Sequence, residues 1–98
     1  MKVTKSIQDS TLTVQLEGKL DTNTTPLAEQ EIMEDVDKAD TIIIDMEKLK
    51  YISSAGLRLL LILHKKMATR GGLIIININE PIREILDFTG FSEILEIK

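Results

Sequence analysis

Two adjacent serines, Ser53 and Ser54, and a single histidine, His64, are the residues of this 98-residue chain that first suggest chemistry. The apolar periodicity after Ser54 predicts a long helix, which puts His64 ten residues further along it. At about 1.5 Å per residue the two are roughly 15 Å apart. That is too far for the serine–histidine hydrogen bond of a hydrolase. Neither the G-x-S-x-G elbow nor a Walker A loop occurs. With no cysteine and one histidine, thiol catalysis and metal binding are not expected, and no cofactor is implied. The expectation is a protein that is not an enzyme. A serine hydroxyl at a helix start then has two uses: it caps the helix, or it stays open to modification.

Composition narrows the partners. The formal charge is −4 and aromatic residues make up only 3%. No basic stripe with interleaved aromatics exists for nucleic acid to bind. The longest apolar run, Leu59 to Leu63, is far short of a membrane span, and the N-terminus turns polar too early for a signal peptide. A single cytoplasmic domain over residues 1–98 is expected.

The elements that must position the serines are readable from periodicity. Leu12, Val14 and Leu16 alternate with Thr11, Thr13 and Gln15, as in a half-buried strand, and a strand from Val3 to Ile7 pairs with it through a turn at Asp9-Ser10. Gly18 breaks the alternation before Leu20 and Asp21. Thr25 and Pro26 open a helix that carries Ala28, Ile32 and Val36 inward, turns Glu29, Glu31, Glu34 and Asp35 to water, and ends near Lys38. Thr41 to Met46 reads as a central strand buried on both faces, and residues 47–52 as a connection.

The helix after Ser54 is expected to run to Thr69 or Arg70, with Leu57, Leu60, Leu61, His64, Met67 and Ala68 on its inner side. Leu59, Ile62 and Leu63 widen its apolar arc beyond one core face. Gly71-Gly72 stops it. Leu73 to Ile78 is a second apolar strand, Pro81 opens a helix over Ile82 to Phe88 that Gly90 closes, and Ile94 to Ile97 ends the pattern. The result is an α/β fold, a mixed sheet of four to five strands with helices packed against it.

Ile42-Ile43-Ile44-Asp45-Met46 followed by Tyr51-Ile52-Ser53-Ser54-Ala55-Gly56-Leu57-Arg58 resembles the STAS family, which includes anti-sigma-factor antagonists and a domain of sulfate transporters. Leu16-Glu17-Gly18-Lys19-Leu20-Asp21, Gly71-Gly72 and the Pro81 to Phe91 segment also fit, so the resemblance spans nearly the whole chain. It implies a STAS fold and a partner-switching protein. Such an antagonist binds an anti-sigma factor that is also a serine kinase, and phosphorylation of one serine ends the binding. A phosphatase would reset it. In the best-known members the acceptor follows an Asp and stands two places before a Gly. With Gly56 in the Gly position the acceptor falls on Ser54, with Ser53 as second choice and standing where the Asp would be. Longer members carry a further helix beyond the position of Lys98.

A phosphate on Ser54 adds roughly −1.5 to −2 charges where a helix start tolerates them, whereas a partner packed over the same surface would not. Gly56 is expected to leave the hydroxyl open to a kinase. Asp21, Asn23, Ser53, Gly56, Arg58, Leu59 and Ile62 are the expected partner-binding residues. Each has a plainer use: Ser53-Ser54 as a cap, Leu59 and Ile62 as core, Asp21 as a loop brace. The rival reading is a STAS scaffold subunit of a transporter or signalling complex that is never phosphorylated.

Overall fold

A computed structural model describes residues 1–98. Strand β1 (Lys2–Gln8) and strand β2 (Thr11–Leu20) form an antiparallel hairpin. Asp9 and Ser10 connect them at φ of 52° and 65°, the two left-handed positions of a tight hairpin turn. Along its other edge β2 has two further partners. Thr11 to Gln15 pairs in parallel with strand β3 (Thr41–Asp45), and Gly18 to Leu20 pairs in parallel with strand β4 (Leu49–Ile52). The register shifts between Gly18 and Lys19, and Gly18 takes a φ of +107° that ordinary side chains resist. Strand β5 (Gly72–Ile76) extends the sheet beside β3, and the two-residue strand β6 (Glu96–Ile97) ends it, in the order β1-β2-β3-β5-β6.

The sheet therefore has six strands where sequence periodicity indicates four to five. The added one is β4, inside what reads as a connection. Its burial runs inward at Leu49 and Ile52 and outward at Lys50 and Tyr51, so it lacks the alternation that marks a strand.

Helices cover one face of the sheet. Leu12, Val14, Leu16, Ile42, Ile44, Leu73 and Ile75 are buried there, and their registers place them side by side. On the opposite face Thr13, Gln15, Ile43, Asp45, Ile74 and Ile76 are only half-buried. β3 is thus buried on one face, contrary to the two-faced burial expected from its isoleucine run. The reason is topological: each crossover steps the same way along the sheet, and right-handed crossovers then put every helix on the same side.

Helix α1 (Thr25–Met33) buries Ala28 and Ile32, and a 3-10 turn at Val36–Lys38 follows where a continuous helix was expected. Its N-cap is Thr24, one residue earlier than the expected Thr25. Thr25 is buried, and its hydroxyl donates to the Asp21 carbonyl at 2.6 Å. Asp35 does not simply face water: it takes Lys5 of β1 at 2.8 Å, with Glu34 at 3.1 Å beside it. These contacts hold Lys5 above the ordinary lysine range and Asp35 below the carboxylate range, the Lys5–Asp35 hydrogen bond being the main cause for both.

Helix α2 (Ser54–Met67) ends slightly earlier than expected and buries Gly56, Leu57, Leu59, Leu60, Leu63 and Met67. The inner face is rotated from the expected one: Leu59 and Leu63 enter the core, Leu61 and His64 are half-buried, and Ala68 is exposed. Helix α3 (Glu80–Thr89) starts with Asn79 as its N-cap, whose side chain accepts from Ile82 N–H at 3.0 Å and donates to the Leu49 carbonyl at 2.7 Å. Asn79 so ties α3 to β4. Gly90, at a φ of 82°, ends the helix in the left-handed form that glycine permits.

Candidate functional site

The two serines, adjacent in sequence, do different things. Ser53 is extended, half-buried, and is the N-cap of α2: its hydroxyl accepts from the Gly56 N–H at 3.4 Å. Ser54 is the first residue of the helix, exposed, and its hydroxyl makes no hydrogen bond within the protein. Of the pair, Ser54 is the nucleophile-sized group presented to solvent.

The β2–β4 pairing brings a second loop alongside. Ser53 N–H donates to the Leu20 carbonyl at 2.9 Å, so Asp21 to Asn23 begins where Ser53-Ser54 begins. One Asp21 carboxylate oxygen accepts from Asn23 N–H at 2.9 Å, from Thr24 N–H at 3.0 Å and from the Thr24 hydroxyl at 3.1 Å. The Thr24 backbone N–H is the chief reason its carboxyl lies below the ordinary range, followed by the Thr24 hydroxyl, the Asn23 N–H and the Lys19 charge, against partial desolvation. Asp21 therefore braces the loop. Asn23 and Thr22 are exposed beside it.

Between α1 and α2 lies an open groove of about 180 Å³, lined on one side by Thr22, Thr25, Pro26 and Glu29 and on the other by Ala55, Arg58, Leu59 and Ile62. Leu59 is its floor, 2% exposed, and Ile62 is 38% exposed at its side. So of the two leucine-family candidates, Ile62 offers surface and Leu59 belongs to the core while lining the groove. Arg58 is exposed and makes no ion pair. The residues of α1 that complete this groove were not marked by sequence reasoning. Pro26 and Glu29 look like an ordinary helix start and a solvated face until α2 is packed beside them.

Gly56 sits at the closest approach of α2 to the sheet. It is buried, and a β-carbon on it would stand 2.7 Å from Ile52 Cγ1 and 2.9 Å from Leu20 Cδ2. Its smallness lets α2 approach β2 and β4 closely. Its α-carbon faces Leu20 and Ile52 in the core, so its smallness has a packing use. A larger hollow of about 290 Å³, between β1 and α1, is lined by Met1, Val3, Leu27, Gln30, Glu31 and Glu34 and shares no residue with the Ser54 surface. No group of three or more His, Asp or Glu side chains is placed to hold a metal ion, and no helix is long and apolar enough to cross a membrane.

Comparison with known proteins gives this geometry a context. The family model described as the STAS domain matches residues 2–98. BtrV of Bordetella bronchiseptica, a protein described as an anti-sigma factor antagonist, is 31% identical over 99% of this chain and 85% of its own length. The crystal structure of an anti-sigma factor antagonist from Mycobacterium paratuberculosis superposes with a TM-score of 0.89 at 23% identity, over 98% of this chain and 83% of that one. The Bacillus cell fate determinant SpoIIAA in its phosphorylated form gives a TM-score of 0.75 at 21% identity, over 99% and 91% of the two chains. At these identities the two structures establish a shared fold.

Proposed function

The chain belongs to the STAS domain family, and from that premise we propose that it is an anti-sigma-factor antagonist switched by phosphorylation of Ser54. Unphosphorylated, it binds an anti-sigma factor that is also a serine kinase, across the surface formed by the Asp21–Asn23 loop, the start of α2 and the α1–α2 groove. Phosphate transferred from ATP to the Ser54 oxygen ends that binding, and a phosphatase restores the hydroxyl. The protein acts in the cytoplasm as a binding partner, not as a catalyst.

One observation carries the choice of serine: Ser54 presents an exposed, unbonded hydroxyl, while the Ser53 hydroxyl is engaged as the helix cap. It also supplies a reason why Ser can stand where the best-known members of the family have Asp. Both residues are good N-caps, so the position keeps its structural use with either. Phosphate at Ser54 adds charge at the positive end of α2, which the fold tolerates, and sets a dianion against whatever packs there.

The test is incubation with candidate anti-sigma-factor kinases of the same organism and ATP, followed by intact-mass measurement and site mapping. One phosphate on Ser54 that abolishes kinase binding is the expected result. Ser54→Ala should bind and stay bound, and Ser54→Asp should fold normally and bind weakly. Undiminished phosphate incorporation in Ser54→Ala would move the site to Ser53. No phosphate, with stable binding to another complex, would replace the switch with a constitutive STAS scaffold.

A further inference from the structure

We propose that Arg58 is the built-in counter-ion of phosphorylated Ser54, and that the pairing withdraws its guanidinium from the mouth of the α1–α2 groove. The inference rests on the reading of Ser54 given above and adds how the modified state is held.

Three observations lead to it. Arg58 follows Ser54 by four residues on the same helix, where side chains are neighbours with β-carbons about 5–6 Å apart. Helical side chains tilt toward the N-terminus, which puts Ser54 within reach of the Arg58 side chain, and an acid one turn before a base is the favourable order. Second, Arg58 is unclaimed. Arg70 is held by the Val36 and Ala39 carbonyls at 2.9 and 3.1 Å, and Lys5 by its acidic cluster, whereas Arg58 is exposed with neither an ion pair nor a side-chain hydrogen bond. Glu29 lines the same groove and still forms no ion pair with Arg58. Third, Arg58 lines that groove beside Ile62 and Pro26.

A guanidinium there has two possible positions, over the groove or back over Ser54. Its planar fork grips phosphate oxygens in a bidentate way that the point charge of lysine does not reproduce. Phosphorylation then acts twice on one surface. It adds a dianion at Ser54 and takes away the free cation at the groove mouth.

The experiment needs no kinase, so its failure is separate from failure of the Ser54 assignment. Phosphoserine is installed at position 54 by genetically encoded incorporation, and the phosphate is titrated by phosphorus NMR in the otherwise unaltered chain, in Arg58→Gln and in Arg58→Lys. The helix start contributes equally to all three and cancels. At low salt the second ionisation of the phosphate should fall about a third of a pH unit lower with Arg58 in place than in Arg58→Gln, about a twofold change in proton affinity, with Arg58→Lys between. At about 1 M NaCl, where the screening length falls to about 3 Å, the difference should shrink. Arg58→Gln is a surface change between two good helix formers, and Arg58→Lys keeps the charge and stem. Low-salt titrations that coincide with and without the Arg58→Gln substitution would overturn the proposal.

Discussion

Replacing Gly56 by Ala tests the packing that sets Ser54 in place. In an exposed helix this change stabilises by about 0.5–1 kcal/mol, because glycine loses more backbone freedom than alanine. Here the new methyl would lie 2.7 Å from Ile52 Cγ1 and 2.9 and 3.0 Å from Leu20 Cδ2 and Cγ. Those side chains have nowhere to go, since Leu20 is 0% and Ile52 2% exposed. Either α2 moves off the sheet or both side chains leave their rotamers, a cost of about 1–3 kcal/mol for overpacking a close-packed core. The middle of each range leaves a predicted net loss of about 1 kcal/mol. With a urea slope of about 1–1.5 kcal/mol/M for a chain this size, the denaturation midpoint should fall by about 1 M. Equilibrium unfolding in urea, followed by circular dichroism on both proteins, measures it. An unchanged or raised midpoint would refute the close approach of α2 to β2 and β4, and with it the placement of Ser54 beside the Asp21 loop.

Ser53→Ala should cost about 0.5–1 kcal/mol through loss of the α2 cap, while Ser54→Ala should stay within about 0.5 kcal/mol of the parent; equal losses in urea titrations would contradict the division of roles. Asn79→Ala removes the α3 cap and leaves the Leu49 carbonyl without its donor, a predicted loss of about 1–2 kcal/mol. Asn79→Asp, which keeps the cap alone, should recover part of it, and a fully restored midpoint would rule out the Leu49 link. The Lys5–Asp35 pair predicts two pH limbs. Asp35 ionises below its ordinary 3.8 when folded, so its stabilisation is complete above that value and lost as pH falls through the folded one. Lys5 stays protonated above 10.5, so its share is complete below that value and lost as pH rises through the folded one. Lys5→Met should flatten the alkaline limb and soften the acid limb, which keeps the Asp21 share; melting curves parallel to the parent across pH would show that the pair contributes nothing.

Much of the fold is a one-dimensional property of this chain. The alternation from Thr11 to Leu16, the isoleucine runs of β3 and β5, Pro26 and Pro81 at helix starts and Gly90 at a helix end each act through their immediate neighbours. Local backbone preference and period decide such features, so they are visible without the third dimension. The position of Ser54 at the head of a long helix belongs with them, because the apolar residues that follow it repeat at helical spacing.

Other features depend on which elements pack against one another. β4 exists because Leu49 to Ile52 finds the end of β2 past the Gly18 bulge, a partner about thirty residues away that no local pattern announces. Leu59 and Ile62 are equally apolar and three residues apart, and the direction from which the sheet meets α2 makes one core and leaves the other at the groove. Gly56 looks like a residue that clears space around a serine until Leu20 and Ile52 are seen beneath it. Ser53 and Ser54 are the same side chain in adjacent positions. The apolar spacing after them is enough to place a hydroxyl at the start of α2. Only the turn of the backbone there, extended at 53 and helical at 54, decided that the first hydroxyl closes on Gly56 N–H and the second is left to solvent.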